Sequence, residues 1–113
     1  MITLPWPPTV NTYYTVARGR KILSAKGRAY KYHAMGCLLE QNAVVGAEGA
    51  YSVMIHVRPP DMRKRDIDNL LKPLLDVLVD YGVLPDDSMV HDLRIQRFDP
   101  IKGGKVEITV CRE

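Results

Sequence analysis

The sequence predicts an α+β fold, a mixed β-sheet with two main helices packed on one face. Three patterns carry that expectation. Tyr51, Val53, Ile55 and Val57 alternate with Ser52, Met54, His56 and Arg58, the two-residue period of a strand. Leu70-Leu74-Leu78 and Leu71-Leu75-Val79 make a broad apolar stripe at helical spacing. The elements then follow in the order ββαβαββ with a hairpin expected at each end, which leaves the order of strands within the sheet open.

Taken along the chain, Ile2 to Leu4 read as a short strand ended by Pro5, Pro7 and Pro8, which force an extended turn. Tyr13 to Val16 and Lys21 to Leu23 flank Arg18-Gly19-Arg20 and predict a hairpin with a basic tip. Ser24 is placed to cap a helix running to about Asn42, in which Gly36 is a weak point. Gly46 to Gly49 break the chain before the alternating strand. In the second helix Asp68 is the expected cap and Gly82 the expected stop, with Pro73 tolerated near the first turn. Strands from about Leu93 to Phe98 and from Lys105 to Cys111 are expected to be joined through Lys102-Gly103-Gly104.

With 113 residues the chain has room for one domain, 1–113, large enough for a hydrophobic core without staples. A hydrophobic fraction of 46% and a charged fraction of 26% exclude a disordered chain. No apolar run approaches a membrane span, and Met1 to Trp6 lack the basic and apolar regions of a signal peptide. Cys37 and Cys111 have no framework or metal-type spacing and read as buried small hydrophobes in a cytoplasmic protein.

The placing of charge is more informative than the net +3. Every acid lies at Glu40 or later, so Arg18, Arg20, Lys21, Lys26, Arg28 and Lys31 form an uncompensated basic arm. Arg58 and Arg63-Lys64-Arg65 run directly into Asp66-Ile67-Asp68. Basic residues surrounding a few acids suit a protein that holds a polyanion and places a cation on it. In an extended segment Asp66 and Asp68 would point the same way, toward one hard cation such as Mg²⁺. Lys72 stands one helical turn on, within reach of a phosphate held there.

Each piece also has an ordinary structural account. Asp68 can be a cap, Asp66 can pair with Arg63 or Arg65, and Lys72 can pair with Asp68 or Asp76. Asp86 and Asp87 can be turn acids. His33, His56 and His91 share no ligand spacing and read as structural. Trp6, Tyr13 and Tyr14 can stack on bases, with burial of Trp6 behind the prolines as the other reading.

The string Arg65-Asp66-Ile67-Asp68-Asn69-Leu70-Leu71-Lys72, followed by Gly82-Val83-Leu84-Pro85-Asp86-Asp87, resembles the RusA family of Holliday-junction resolvases. The opening Leu4 to Tyr14 and the closing Lys102 to Thr109 are similar to that family's first segment and last hairpin, so the likeness covers nearly the whole chain. It implies that Asp66, Asp68 and Asp87 are metal-binding catalytic carboxylates and Lys72 the essential lysine, with Arg65 and Asn69 supporting the site. It further implies a homodimer that needs Mg²⁺ or Mn²⁺, uses no small-molecule cofactor and nicks opposed strands of four-way DNA junctions. Arg18, Arg20, Lys21, Lys26, Arg28, Lys31, Arg63, Lys64, Arg65 and Asn69 are the expected DNA contacts. Two rival readings stand beside it: a non-catalytic module that binds branched nucleic acid, and a nuclease that prefers flaps or forks.

Chain geometry limits how Asp87 joins the other acids. A helix from Asn69 to Tyr81 carries the backbone roughly 20 Å from Asp68 at about 1.5 Å per residue. The steps from Gly82 to Asp87 return at most about 17 Å. Asp87 therefore either folds back along its own helix or reaches the partner subunit of a dimer.

Overall fold

The computed structural model describes all residues, 1–113. The alternating segment forms β4 (Tyr51–Arg58), the centre of a four-stranded sheet. Before it come β1 (Ile2–Leu4), a one-turn helix α1 (Val10–Tyr13), the hairpin β2 (Tyr14–Ala17) and β3 (Arg20–Leu23), and α2 (Ala25–Glu40). After it come α3 (Leu71–Tyr81), β5 (Val90–Arg97) and β6 (Lys105–Arg112). The sheet order is β1-β6-β4-β5, with β5 parallel to β4 and the other pairs antiparallel. A parallel pair needs a crossover connection, and α3 supplies it.

The C-terminal hairpin expected from the sequence does not form. β5 and β6 lie on either side of β4 rather than beside each other. Two strand spacings amount to about 10 Å, a gap that the connection from Phe98 to Gly104 can cross. It passes over the end of β4, where Phe98 N–H donates to Val57 O and Ile101 N–H donates to Pro59 O, both at 2.9 Å. The side chains explain which strand is central. β4 buries every second residue completely, whereas β5 is exposed over most of its length and belongs at an edge.

One face of the sheet packs with the helices around a core that includes Leu4, Tyr13, Leu38, Ile55, Leu74, Leu78 and Ile108. The other face presents Ser52, Met54, His56 and Arg58, all half-buried. α2 buries Gly27, Tyr30, Ala34 and Leu38, a stripe too narrow and too mixed to stand out in the sequence. Ser24 caps it as expected, accepting from Gly27 N–H at 2.9 Å. The helix stops at Glu40, two residues before Asn42. Gly27 is required where α2 meets α1, because a Cβ there would lie 2.2 Å from the Tyr13 carbonyl oxygen.

Two local expectations need correction. Asp68 does not cap α3; it lies inside a 3-10 turn (Ile67–Leu70) that precedes the helix, with Asp66 in the extended position before it. Pro73 explains the tighter entry. It has no N–H to give to the Asn69 carbonyl, and the chain closes three-residue bonds instead, Asn69 N–H to Asp66 O and Leu71 N–H to Asp68 O. Cys111 is not buried: inward positions on β6 are Val106, Ile108 and Val110, and Cys111 faces out, while Cys37 is half-buried.

Candidate active site

The segment from Pro59 to Asn69 leaves the carboxyl end of β4 and leads into α3. Its first half is locked by charge. Asp61 receives Arg65 Nη1 at 2.7 Å and Arg63 Nη2 at 3.0 Å, and Arg63 N–H donates to it at 2.9 Å. The Arg65 guanidinium, and with it the Arg63 backbone and side chain, hold the Asp61 carboxyl well below the usual carboxylate range. Arg65 also lies over the half-buried Trp6 ring, 5.8 Å from its centroid, and Arg97 donates to the Arg65 carbonyl. Arg65 thus shapes the loop directly before Asp66.

Asp66 and Asp68 are treated differently. Both are exposed, and neither carboxylate takes part in an ion pair or a side-chain hydrogen bond. The pairing of Asp66 with Arg63 or Arg65 is excluded because Asp61 has already taken both arginines. The backbone also differs from a continuous extended segment, since Asp66 is extended and Asp68 is in the 3-10 turn.

Gly82 closes α3 in the left-handed conformation at φ 104°, and the chain folds back along its own helix. Asp86 caps the following 3-10 turn (Asp87–Met89) through Ser88. Asp87 comes to lie 3.6 Å from Lys72 Nζ of the same chain. Lys72 is held more closely by Asp76, at 2.9 Å across one turn of α3, and has no contact with Asp68. Despite that ion pair, burial, with Asp80 and then Asp87 adding, pushes the Asp76 carboxyl up to about 6. Tyr13, wholly buried on α1, is pushed up to about 12, by burial first and then by Asp80 and Asp76.

Asp76 is the site residue that sequence reasoning left on an ordinary helix face. Its signal, the Asp68-Lys72-Asp76-Asp80 row, was visible; its partial burial was not. No three acidic, histidine or cysteine side chains of this chain converge on a space for one ion. The donor chemistry nonetheless fits a hard divalent cation. Asp66 and Asp68 would offer two carboxylates without a counter-charge, and Asp87, partly neutralised by Lys72, could offer a third. The histidines are dispersed: His33 and His91 are exposed, and the His56 ring lies 4.6 Å from that of Phe98, centroid to centroid.

The expected DNA contacts divide into free and engaged groups. Arg18 and Gly19 take positive φ in the two-residue turn of the hairpin, which carries Arg18, Arg20 and Lys21 into solvent. Lys21 also lies over the Tyr14 ring, 4.4 Å from its centroid. Lys26 and Lys64 are exposed and unpaired, and Asn69 is half-buried beside Asp68. Arg28 is exposed and donates to Leu23 O at 3.0 Å. Lys31 is tied to Asp80 at 3.2 Å. A cleft of about 470 Å³ opens at the carboxyl ends of β4 and β5, lined by Arg58, Arg63, Arg97 and Phe98 among others. No helix is long and apolar enough to cross a membrane.

Comparison with known proteins identifies the family. The family model described as endodeoxyribonuclease RusA matches residues 5–111. Crossover junction endodeoxyribonucleases RusA from Shigella sonnei (strain Ss046) and Escherichia coli (strain K12) are each 38% identical over 109 residues, covering 96% of this chain and 91% of theirs. The protein of that name from Enterobacteria phage 82 matches to the same extent. The extent of these matches, spanning both the opening segment and the Asp66-to-Asp87 motif, places the chain in the RusA endodeoxyribonuclease family.

Proposed function

We propose that this protein is a divalent-metal-dependent endonuclease that resolves four-way DNA junctions by paired nicks, acting as a homodimer. The observation that carries the reading is the exposed, unpartnered pair Asp66 and Asp68 at the mouth of a helix whose first turn presents Lys72 beside Asp87. Asp66, Asp68 and Asp87 would hold Mg²⁺ or Mn²⁺, and the ion would supply water activation and stabilisation of the leaving 3′ oxygen. Lys72 supplies positive charge to the phosphate as negative charge grows on it in the transition state. The products are a 5′-phosphate and a 3′-hydroxyl.

The basic hairpin, with Arg18, Arg20 and Lys21, and the start of α2, with Lys26 and Arg28, follow the DNA backbone and set its position. Symmetric cutting of two strands needs two sites, and one chain carries one set of acids, so a two-fold dimer follows. Asp87 lying against Lys72 of its own chain favours a site built within each subunit rather than shared between them.

The test is cleavage of a synthetic four-way junction with Mg²⁺, with Mn²⁺ and with chelator, alongside flap, fork and plain duplex substrates. Paired, symmetric nicks with 5′-phosphate ends, dependent on metal and fastest on the junction, are expected. Binding without cleavage under every metal condition would overturn the enzymatic reading in favour of a binding module. Faster cutting of flaps or forks would overturn the junction preference.

A further inference from the structure

Lys72 has two carboxylates within reach but is not shared equally. Asp76 Oδ1 lies 2.9 Å from its ammonium and Asp87 Oδ2 lies 3.6 Å away. The nearer partner is also the firmer one. Asp76 is fixed one helical turn from Lys72, and its side chain is 24% exposed against 44% for Asp87. A less solvated carboxylate attracts an ammonium more strongly. Asp76 has no other cation: Lys31, the neighbouring base, is paired with Asp80 at 3.2 Å, and Tyr13 beside them is buried and brings no charge.

We propose that Asp76 is a positioning residue that holds the Lys72 ammonium off Asp87, leaving Asp87 free for a divalent cation and Lys72 free for the phosphate. This inference rests on the reading of Asp87 as a metal carboxylate. An ammonium and a metal ion are competitors for the same oxygen. Without the Asp76 charge, Asp87 is the one acid still within ion-pair distance of Lys72, which closes onto it. An arriving ion must then displace the ammonium as well as lose its own water.

The prediction is specific to metal affinity and needs no DNA. Mn²⁺ titrated into the full-length, DNA-free protein, followed by electron paramagnetic resonance or calorimetry, should bind Asp76→Asn more weakly than wild type. The expected loss is roughly two- to fivefold, the equilibrium equivalent of one partly exposed ion pair. Asp76→Glu, which keeps a carboxylate one turn from Lys72, should restore binding. Lys72→Gln should bind Mn²⁺ at least as well as wild type, and adding it to Asp76→Asn should cancel the loss. A residue with a purely structural role would not produce that reversal.

Thermal melts of each variant, with Asp76→Ser read alongside, separate loss of folding from loss of affinity. Unchanged Mn²⁺ affinity in folded Asp76→Asn, or a double variant as weak as the single one, overturns the positioning role. Asp87→Asn is the control on the underlying reading. If it binds Mn²⁺ as wild type does, the assignment of Asp87 as a ligand falls, and this inference falls with it.

Discussion

The connection between β4 and α3 divides at Arg65 and Asp66 into two halves that treat charge in opposite ways. In the first half, Arg63 and Arg65 share the single carboxylate of Asp61, and Trp6 and Arg97 close around Arg65. In the second half, Asp66 and Asp68 face solvent without a partner. The difference shows how a small fold builds a charged site. A turn cross-linked through Asp61 precedes the unpartnered acids, and because Asp61 occupies both arginines, Asp66 and Asp68 do not collapse onto them.

The largest expected effect breaks the second half alone. Asp66→Asn, Asp68→Asn and Asp87→Asn should each lower junction cleavage by at least about 10²-fold, as should Lys72→Ala. Junction binding should hold or strengthen in the aspartate variants, because less negative charge then faces the phosphates. Asp66→Asn and Asp68→Asn should also melt within a few degrees of wild type, because neither acid has a contact to lose. Single-turnover cleavage and gel-shift binding on the same preparations check both statements, and near wild-type cutting would remove that residue from the site.

Breaking the first half should act more weakly and by another route. Asp61→Ala frees Arg63 and Arg65 and loosens the turn before Asp66, with a loss of roughly tenfold in rate from misplacement of the acids. Unlike the aspartate variants above, it should also lower the melting temperature. A rate unchanged from wild type would show that the locked half does not position the site.

Acidity distinguishes the compensated acid from the crowded one. The folded-state pKa of Asp61 is depressed, so its contribution is present above the unfolded carboxylate range near 4 and is lost only at more acidic pH. Asp76 has the opposite sign. Its folded value of about 6 lies above the unfolded one, so the native state binds the extra proton, and stability falls as pH rises from about 4 to 6. The difference in melting temperature between wild type and Asp76→Asn should therefore change across pH 4 to 6 and flatten above about 7. A difference independent of pH would show that Asp76 titrates like a solvated acid.

Much of this was legible in the residues, and the losses have physical causes. β4, α3, the Ser24 cap, the Gly82 stop and the basic hairpin each rest on a local pattern that the fold keeps. The neighbours of β5 and β6 are not local information: alternation tells which face a residue takes but not which strand lies beside it. α1 is a single turn, too short for any periodicity. Asp76 shared an i, i+4 row with Lys72 in plain view. Its burial depends on α1 and on the return of residues 82–87 along α3, contacts between segments that are distant in sequence. The Asp66–Asp68–Lys72–Asp87 set stands out only as a combination resembling a family, because each spacing alone has an ordinary structural use.

The smallest expected effect concerns which basic residues meet DNA. Arg63 resembles Arg18 and Arg20 in sequence, as one more cation in a basic run, but its guanidinium is paired with Asp61 at 3.0 Å while the hairpin tip is free. Binding that releases counterions weakens log-linearly with salt, by about 0.9 in slope for each phosphate contact on duplex arms. Replacing Arg18 and Arg20 together by glutamine should make the slope shallower by about 1 to 2, if both meet phosphates. Arg63→Gln should leave the slope nearly unchanged, because its guanidinium is already held by Asp61. The slopes are read from junction binding between 50 and 200 mM salt, roughly the range over which such contacts are resolved. Equal changes in the two variants would mean that DNA draws Arg63 away from Asp61. The first half of the loop would then open on binding rather than remain the fixed support of the second.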